Sequence, residues 1–274
     1  MPPASSRSGT AMPQGAEVSS EDGAAGTGAL TVTSMGTVLS IRFGGPVGPA
    51  RRDAARDAIA RVFGRWDARF SLYRDDSELS RVNRGELRLT QASVALRDCY
   101  ALALDWRDRT DGVFTPHRAD GVLDLSGVVK ALAIDEAGRA LSALGQGDWS
   151  LNAGGDILVS GDQAPGLDWM AGIADPEDRA RSLAVVPLAV PLRAVATSGS
   201  AERGDHIWTA VDGGPSPYRQ VTVFARDIVT ADVLATAIFA GGEATLNRST
   251  ETWPVEVLAV PRDGSLLATP GLRA

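Results

Sequence analysis

Lysine is almost absent from this chain. Of its 27 basic residues, 26 are arginine and only Lys130 is lysine. With its abundant Ala, Gly and Arg, the chain reads as the product of a GC-rich genome that uses arginine wherever charge alone matters. An ammonium is a compact point charge that a planar guanidinium does not replace at a tight contact. Lys130 is therefore a candidate functional residue, although a lysine on a helix surface would explain the same residue. Cysteine is equally scarce. Cys99 is the sole one, which excludes an internal disulfide. Its setting, Leu96 to Leu102, reads as a helix in which a thiol packs as a core residue rather than a reactive one. A basic excess is lacking too: 34 acidic residues give a formal charge of −7, which argues against general nucleic-acid binding. No apolar run reads as long enough for a membrane span. The first 28 residues lack the apolar region of a signal peptide and carry no cysteine for lipid attachment. Rich in Ser, Gly, Ala and Pro, they read as a disordered tail. The expectation is a cytoplasmic protein with one domain over residues 29–274.

A hydrophobic content of 44% is enough for a full core. Residues 29–43 alternate as one or two strands that bend at Met35-Gly36-Thr37. From Pro49 to Phe70, Ala55, Ile59, Val62, Phe63, Trp66 and Phe70 form a helical stripe. A short helix is expected near Glu78 to Val82, a long one from Gln91 to Arg109, and a third from an N-cap at Ser126 to about Leu144. The second half reads as short strands near residues 149–152, 157–160, 169–173, 183–190, 195–198 and 220–225. A helix from about Ala231 to Ala240, stopped by Gly241-Gly242, and strands near 255–260 and 266–268 complete the chain. Helices and strands come in blocks, so the fold class is α+β, with helices packed on mixed or antiparallel sheets.

Four segments can carry chemistry. Asp124 to Lys130 holds the lysine. In Ala231-Asp232-Val233-Leu234-Ala235-Thr236, Asp232 and Thr236 are four apart and share one helix face. A carboxylate above a hydroxyl presents hard oxygens to one point, which suits Mg²⁺. The same spacing also arises when Thr bonds back to its own helix and Asp charges the first turn. Thr197-Ser198-Gly199 runs into a turn before His206, one of two histidines and a natural general base near neutral pH. His206 and His117 are equally compatible with structural or exposed roles. Finally, Asn152-Ala153-Gly154-Gly155-Asp156 is either a tight hairpin or a close backbone approach to a ligand.

The order of these pieces is informative. Met35-Gly36-Thr37, Phe70-Ser71-Leu72-Tyr73, Ser77 to Asn83, Asp111-Gly112-Val113-Phe114, Asp124 to Lys130, Asn152 to Asp156, Thr197-Ser198-Gly199, His206-Ile207 and Ala231 to Thr236 follow one another. The set resembles the ApbE family of FAD:protein FMN transferases from about residue 30 to 260. That resemblance implies an α+β enzyme that binds FAD and Mg²⁺ and splits the flavin pyrophosphate. It attaches FMN to a Thr or Ser of an acceptor flavoprotein carrying a flavinylation motif, and it releases AMP. Some members hydrolyse FAD to FMN and AMP, and a degenerate member would bind flavin without turnover. By the resemblance, Asp232, Thr236 and the Gly127 carbonyl match the metal ligands. Met35, Tyr73, Val113, Phe114, Thr115, Asp124 and Lys130 match positions that line FAD. His206 matches a residue that acts as base or touches the pyrophosphate, so His206, Lys130 and Asp232 are the expected catalytic residues. The chain departs from the family pattern at Phe114-Thr115-Pro116, where Phe-Asp-Pro is usual, and at Lys130-Ala131, where Lys-Gly is usual. A long insertion usual between Pro116 and Asp124 is absent, as are the Asp-Pro and Thr-Gly that usually follow His-Ile.

Overall fold

The computed structural model describes residues 29–199 and 215–273. The tail expected over residues 1–28 lies outside the described residues, as does His206. Strands β1 (Leu30–Ser34) and β2 (Thr37–Phe43) form a hairpin. Its two turn residues, Met35 and Gly36, have φ of 52° and 69°, as a tight turn matched to strand twist requires. Helix α1 (Pro49–Phe70) starts on proline, whose missing N–H costs nothing there, and buries Ala55, Ile59, Val62, Phe63 and Phe70. Helix α2 (Glu78–Asn83) is capped by Ser77, whose hydroxyl accepts from Ser80 N at 3.0 Å. Helix α3 (Val94–Arg109) begins later than the apolar pattern suggests. Ser93 caps it by accepting from Leu96 N, and Gln91 lies in a separate 3₁₀ turn.

Helix α4 (Ser126–Ala143) follows. Its N-cap is Leu125 rather than Ser126; the first helical N–H, that of Ser126, is satisfied by the Asp124 carboxylate at 2.9 Å. Then come β3 (Trp149–Ala153), β4 (Asp156–Ser160), β5 (Trp169–Ala174), β6 (Ser182–Leu188), β7 (Ala194–Gly199) and β8 (Tyr218–Ala225). Helix α5 (Ile228–Thr252), β9 (Glu256–Pro261) and β10 (Leu267–Ala268) complete the order. The Gly241-Gly242 pair does not stop α5 as the sequence suggested. It kinks the helix, with Gly242 at φ 72°, and the helix resumes to Thr252. By length and composition α5 could cross a membrane, contrary to the reading that no run was long enough. However, 61% of its apolar window is buried inside the fold, as in the core helix of a packed domain.

The fold is α+β. Eight strands form one sheet in the order β1-β2-β3-β4-β7-β8-β9-β10, every neighbouring pair antiparallel, and β5-β6 form a separate hairpin. Strand alternation separates two cores. Ala194 and Ala196 of β7 join the helices, including Val128, Ile134, Leu234 and Ile238, in the main core. Val195 between them packs with Phe224 and with Trp169, Ile173 and Leu188 of the hairpin. The main sheet thus lies between helices and a β-hairpin. Glu136 of α4 ties down α1, accepting from Trp66 Nε1 at 2.7 Å and Arg65 Nη2 at 2.6 Å.

Candidate active site

The main sheet and two helices bring one polar cluster together inside the apolar layer. Lys130 on α4 is buried, 8% exposed, which removes the surface-lysine alternative. Its ammonium is ion-paired with Asp156 and lies 3.9 Å from Asp232 Oδ1. Asp156 is fully buried at the start of β4. Its other oxygen accepts from the Thr197 backbone N–H of β7 at 3.2 Å, so the carboxylate is held from two sides. Asp232 is buried on α5. One turn on, the Thr236 hydroxyl meets Ser198 Oγ at 3.2 Å. The i, i+4 pair read from sequence therefore faces the sheet. Charges with these neighbours are sustained inside a protein only when paired and hydrogen-bonded.

Local sequence explains the placement. The hairpin reading of Asn152 to Asp156 holds. Gly154 and Gly155 have φ of 61° and 95°, and Asn152 Oδ1 accepts from Gly155 N at 3.0 Å. A Cβ on Gly154 would come within 2.5 Å of Thr37 Oγ1, so β2 also needs glycine there. This turn delivers Asp156 into the first position of β4, opposite Ala153. Gly127 lies one turn before Lys130 and so shares its helix face. A Cβ on Gly127 would approach Phe114 Cε2 to 2.7 Å. The Phe114 ring, itself buried, seats directly on the start of α4.

The segment between α3 and α4 is fixed by its own polar groups. Thr110 Oγ1 accepts from Phe114 N at 3.2 Å. Val113 packs at the kink of α5, where a Cβ on Gly241 would meet its Cγ1 at 2.7 Å. Thr115 is exposed, and its hydroxyl accepts from His117 N. His117 pairs with Tyr100 Oη at 3.1 Å. Asn83 clamps the far strand of this loop: its Nδ2 donates to Leu123 O at 2.9 Å, and its Oδ1 accepts from Leu123 N at 2.8 Å. Asp124 and α4 follow directly.

The predicted residues thus fall into three groups. Lys130, Asp232 and Thr236 form the cluster, with Gly127 one turn away and Phe114 against it. Val113, Thr115 and Asp124 lie on the adjoining loop. Met35 is half-buried against the main core in the first hairpin, and Tyr73 is 91% exposed after α1. Among the described residues, neither makes a hydrogen bond or ion pair to the cluster. Asp156 and Asn83 were quoted in motifs but given no role. Only the fold, by joining distant strands and loops, reveals them.

The donor set suits a hard cation. Asp232, Thr236 and the Gly127 carbonyl offer only oxygen, which Mg²⁺ takes in small number while keeping positions open for phosphate. Among the described residues there is no group of three or more His, Cys, Asp and Glu able to hold a metal, so a zinc-type set is not formed by them.

The chain is similar to known proteins in sequence and in fold. The family model described as the ApbE family matches residues 35–122 and 117–259. A FAD:protein FMN transferase of Rhodobacter capsulatus is 35% identical over 165 residues, covering 56% of this chain and 30% of that protein. One from Vibrio cholerae is 25% identical over 272 residues, covering 78% of this chain and 81% of its own. The chain therefore spans under a third of the first relative and most of the second. Among solved structures, the flavin transferase ApbE from Vibrio cholerae superposes with a TM-score of 0.73 at 23% identity, covering 89% of this chain and 97% of that one. The ApbE protein from Thermotoga maritima gives 0.72 at 19% identity, with coverage of 89% and 97%. These two structures share the fold. Since the matched stretches run from the first hairpin to β9, taking in the lysine–aspartate cluster, the chain belongs to the ApbE family.

Proposed function

We propose that this protein is a FAD:protein FMN transferase that moves FMN from FAD to a Ser or Thr hydroxyl of an acceptor flavoprotein. The observation that carries the reading is the cluster of buried Lys130, Asp156, Asp232 and Ser198 with the half-buried Thr236, in a chain whose curated relatives bear that name. Asp232, Thr236 and the Gly127 carbonyl would hold Mg²⁺. When bound, the ion supplies charge neutralisation at the pyrophosphate and at the departing AMP. Lys130 adds a positive charge beside the same phosphates. Phe114, seated on the start of α4, would shape the wall that FAD meets, and the loop clamped by Asn83 would hold that wall in place. His206 accepts the proton of the acceptor hydroxyl. The hydroxyl oxygen forms a bond to the FMN phosphorus as the bridging P–O bond breaks, and AMP carries off the electron pair. The buried setting limits access of water, which would otherwise give free FMN. The test is stoichiometric: AMP release from FAD and flavin on an acceptor peptide, followed together by mass. One flavinylated peptide per AMP is expected. AMP with free FMN would make the protein a pyrophosphatase, and FAD binding without AMP would make it a flavin-binding relic.

A further inference from the structure

The only lysine of the chain stands between two buried carboxylates, and it is not shared evenly. Its ammonium is paired with Asp156 and is 3.9 Å from Asp232. We propose that Asp156 is a positioning residue that draws Lys130 toward β4, so that its ammonium competes less with a divalent cation for the Asp232 carboxylate. The proposal rests on the reading of Asp232 as a cation ligand, and it adds a residue that governs cation affinity without touching the cation.

Geometry supports the division of labour. Asp156 contributes one oxygen to the Thr197 backbone N–H and the other to Lys130. The Thr197 bond ties this carboxylate to β7 independently of the lysine. Lys130 has a flexible four-carbon stem and three donors, so its position follows whichever carboxylate attracts it more. An ammonium and a divalent cation compete directly for one carboxylate, because each neutralises the same charge. With Asp156 ionised, Lys130 stays on the sheet side. With that charge deleted, Asp232 becomes the nearest anion to the ammonium among the described residues, and the cation must displace it.

Asp156→Asn separates these roles. The asparagine Oδ1 can still accept from Thr197 N, but its NH₂ then faces the ammonium, where two donors repel. Lys130 should swing onto Asp232. The measurement is Mn²⁺ binding to the full-length protein without FAD, by calorimetry or by the free-ion paramagnetic resonance signal. Asp156→Asn should weaken Mn²⁺ at least about tenfold, equal to about 1.4 kcal/mol. Adding Lys130→Met to that variant removes the ammonium and should restore affinity to within about threefold of wild type. A lesion that merely loosened the fold would not be rescued by a second buried substitution. Equal Mn²⁺ affinity in wild type and Asp156→Asn would overturn the proposal while leaving the cation site standing. Failure of the double variant to regain affinity, with its thermal transition intact, would also overturn it. A wild type that binds no Mn²⁺ would overturn both the proposal and the reading beneath it.

Discussion

Two glycines inside α4 make a paired test of how the site is seated. Glycine in a helix interior, as at Gly138, costs about 1 kcal/mol relative to alanine, and less in the first turn, where Gly127 lies; both glycines coincide with a close approach. At Gly127 a Cβ would lie 2.7 Å from Phe114 Cε2 and 3.2 Å from its Cζ. At Gly138 a Cβ would lie 2.6 Å from Trp149 Cη2 and 3.1 Å from Leu158 Cδ2. Overpacking costs about 1–3 kcal/mol. For Gly127→Ala, one ring must give way, and the gain in helix propensity offsets part of the strain. The net loss should be about 1 kcal/mol, lowering Tm by roughly 2–4 °C for a domain of this size. For Gly138→Ala, two strands pin the obstacle, and the loss should be about 2 kcal/mol. The ligand effects should be reversed. Displacing Phe114 should weaken FAD binding by about tenfold, or about 1.4 kcal/mol, whereas Gly138→Ala should leave it within about twofold. Calorimetric Tm and fluorescence titration of FAD measure both quantities. A Gly127→Ala variant that is more stable than wild type and binds FAD equally would refute the seating of Phe114 on α4.

Three further outcomes are expected. Asn83→Ala removes both bonds to Leu123 and should cost about 1–3 kcal/mol; hydrogen exchange at residues 122–124 should accelerate, FAD affinity should fall, and unchanged exchange would remove the clamp from the account. Burial pushes the Cys99 thiol up to about 12, so it should resist alkylation at pH 8 until the protein unfolds; stability from this group is full below its unfolded value and is lost as pH rises toward the folded one. At Glu136, burial alone would raise the carboxyl, but the Trp66 and Arg65 hydrogen bonds outweigh it and hold the group below the usual glutamate range. Glu136→Gln should therefore destabilise by about 1 kcal/mol or less at pH 7, given its partial exposure. That difference should vanish as pH falls through the depressed value, and an undiminished difference in acid would contradict the pairing.

Much of the fold was legible because it rests on local signals. The stripe of Ala55, Ile59, Val62 and Phe63 pointed to one helix face, Met35-Gly36-Thr37 to a bend, and Gly154-Gly155 to a hairpin or a ligand approach; the structure makes turns at positive φ at both. Boundaries moved where capping decides. Ser93, not Gln91, opens α3, and Asp124 takes over the role given to Ser126. The continuation of α5 past Gly242 was not legible, because the packing that carries a kinked helix onward is tertiary. In the site, the i, i+4 face of Asp232 and Thr236 was readable, and so was the oddity of one lysine. Asp156 was not assigned a role, since its partner Lys130 lies on α4 and only the β3-β4 turn and the packing of that helix against the sheet bring them together.

In the proposed reaction, FMN transfer depends on a divalent cation at the Asp232–Thr236 face of α5. The most direct measurement is AMP and flavinyl-peptide production from FAD by wild type and Asp232→Ala, each with Mg²⁺ and with chelator. Wild type with Mg²⁺ should give equal amounts of both products. Chelation or Asp232→Ala should lower both at least about a hundredfold, or about 2.7 kcal/mol, and added Mg²⁺ should not rescue the variant. Undiminished product from Asp232→Ala would refute the cation's role at this face.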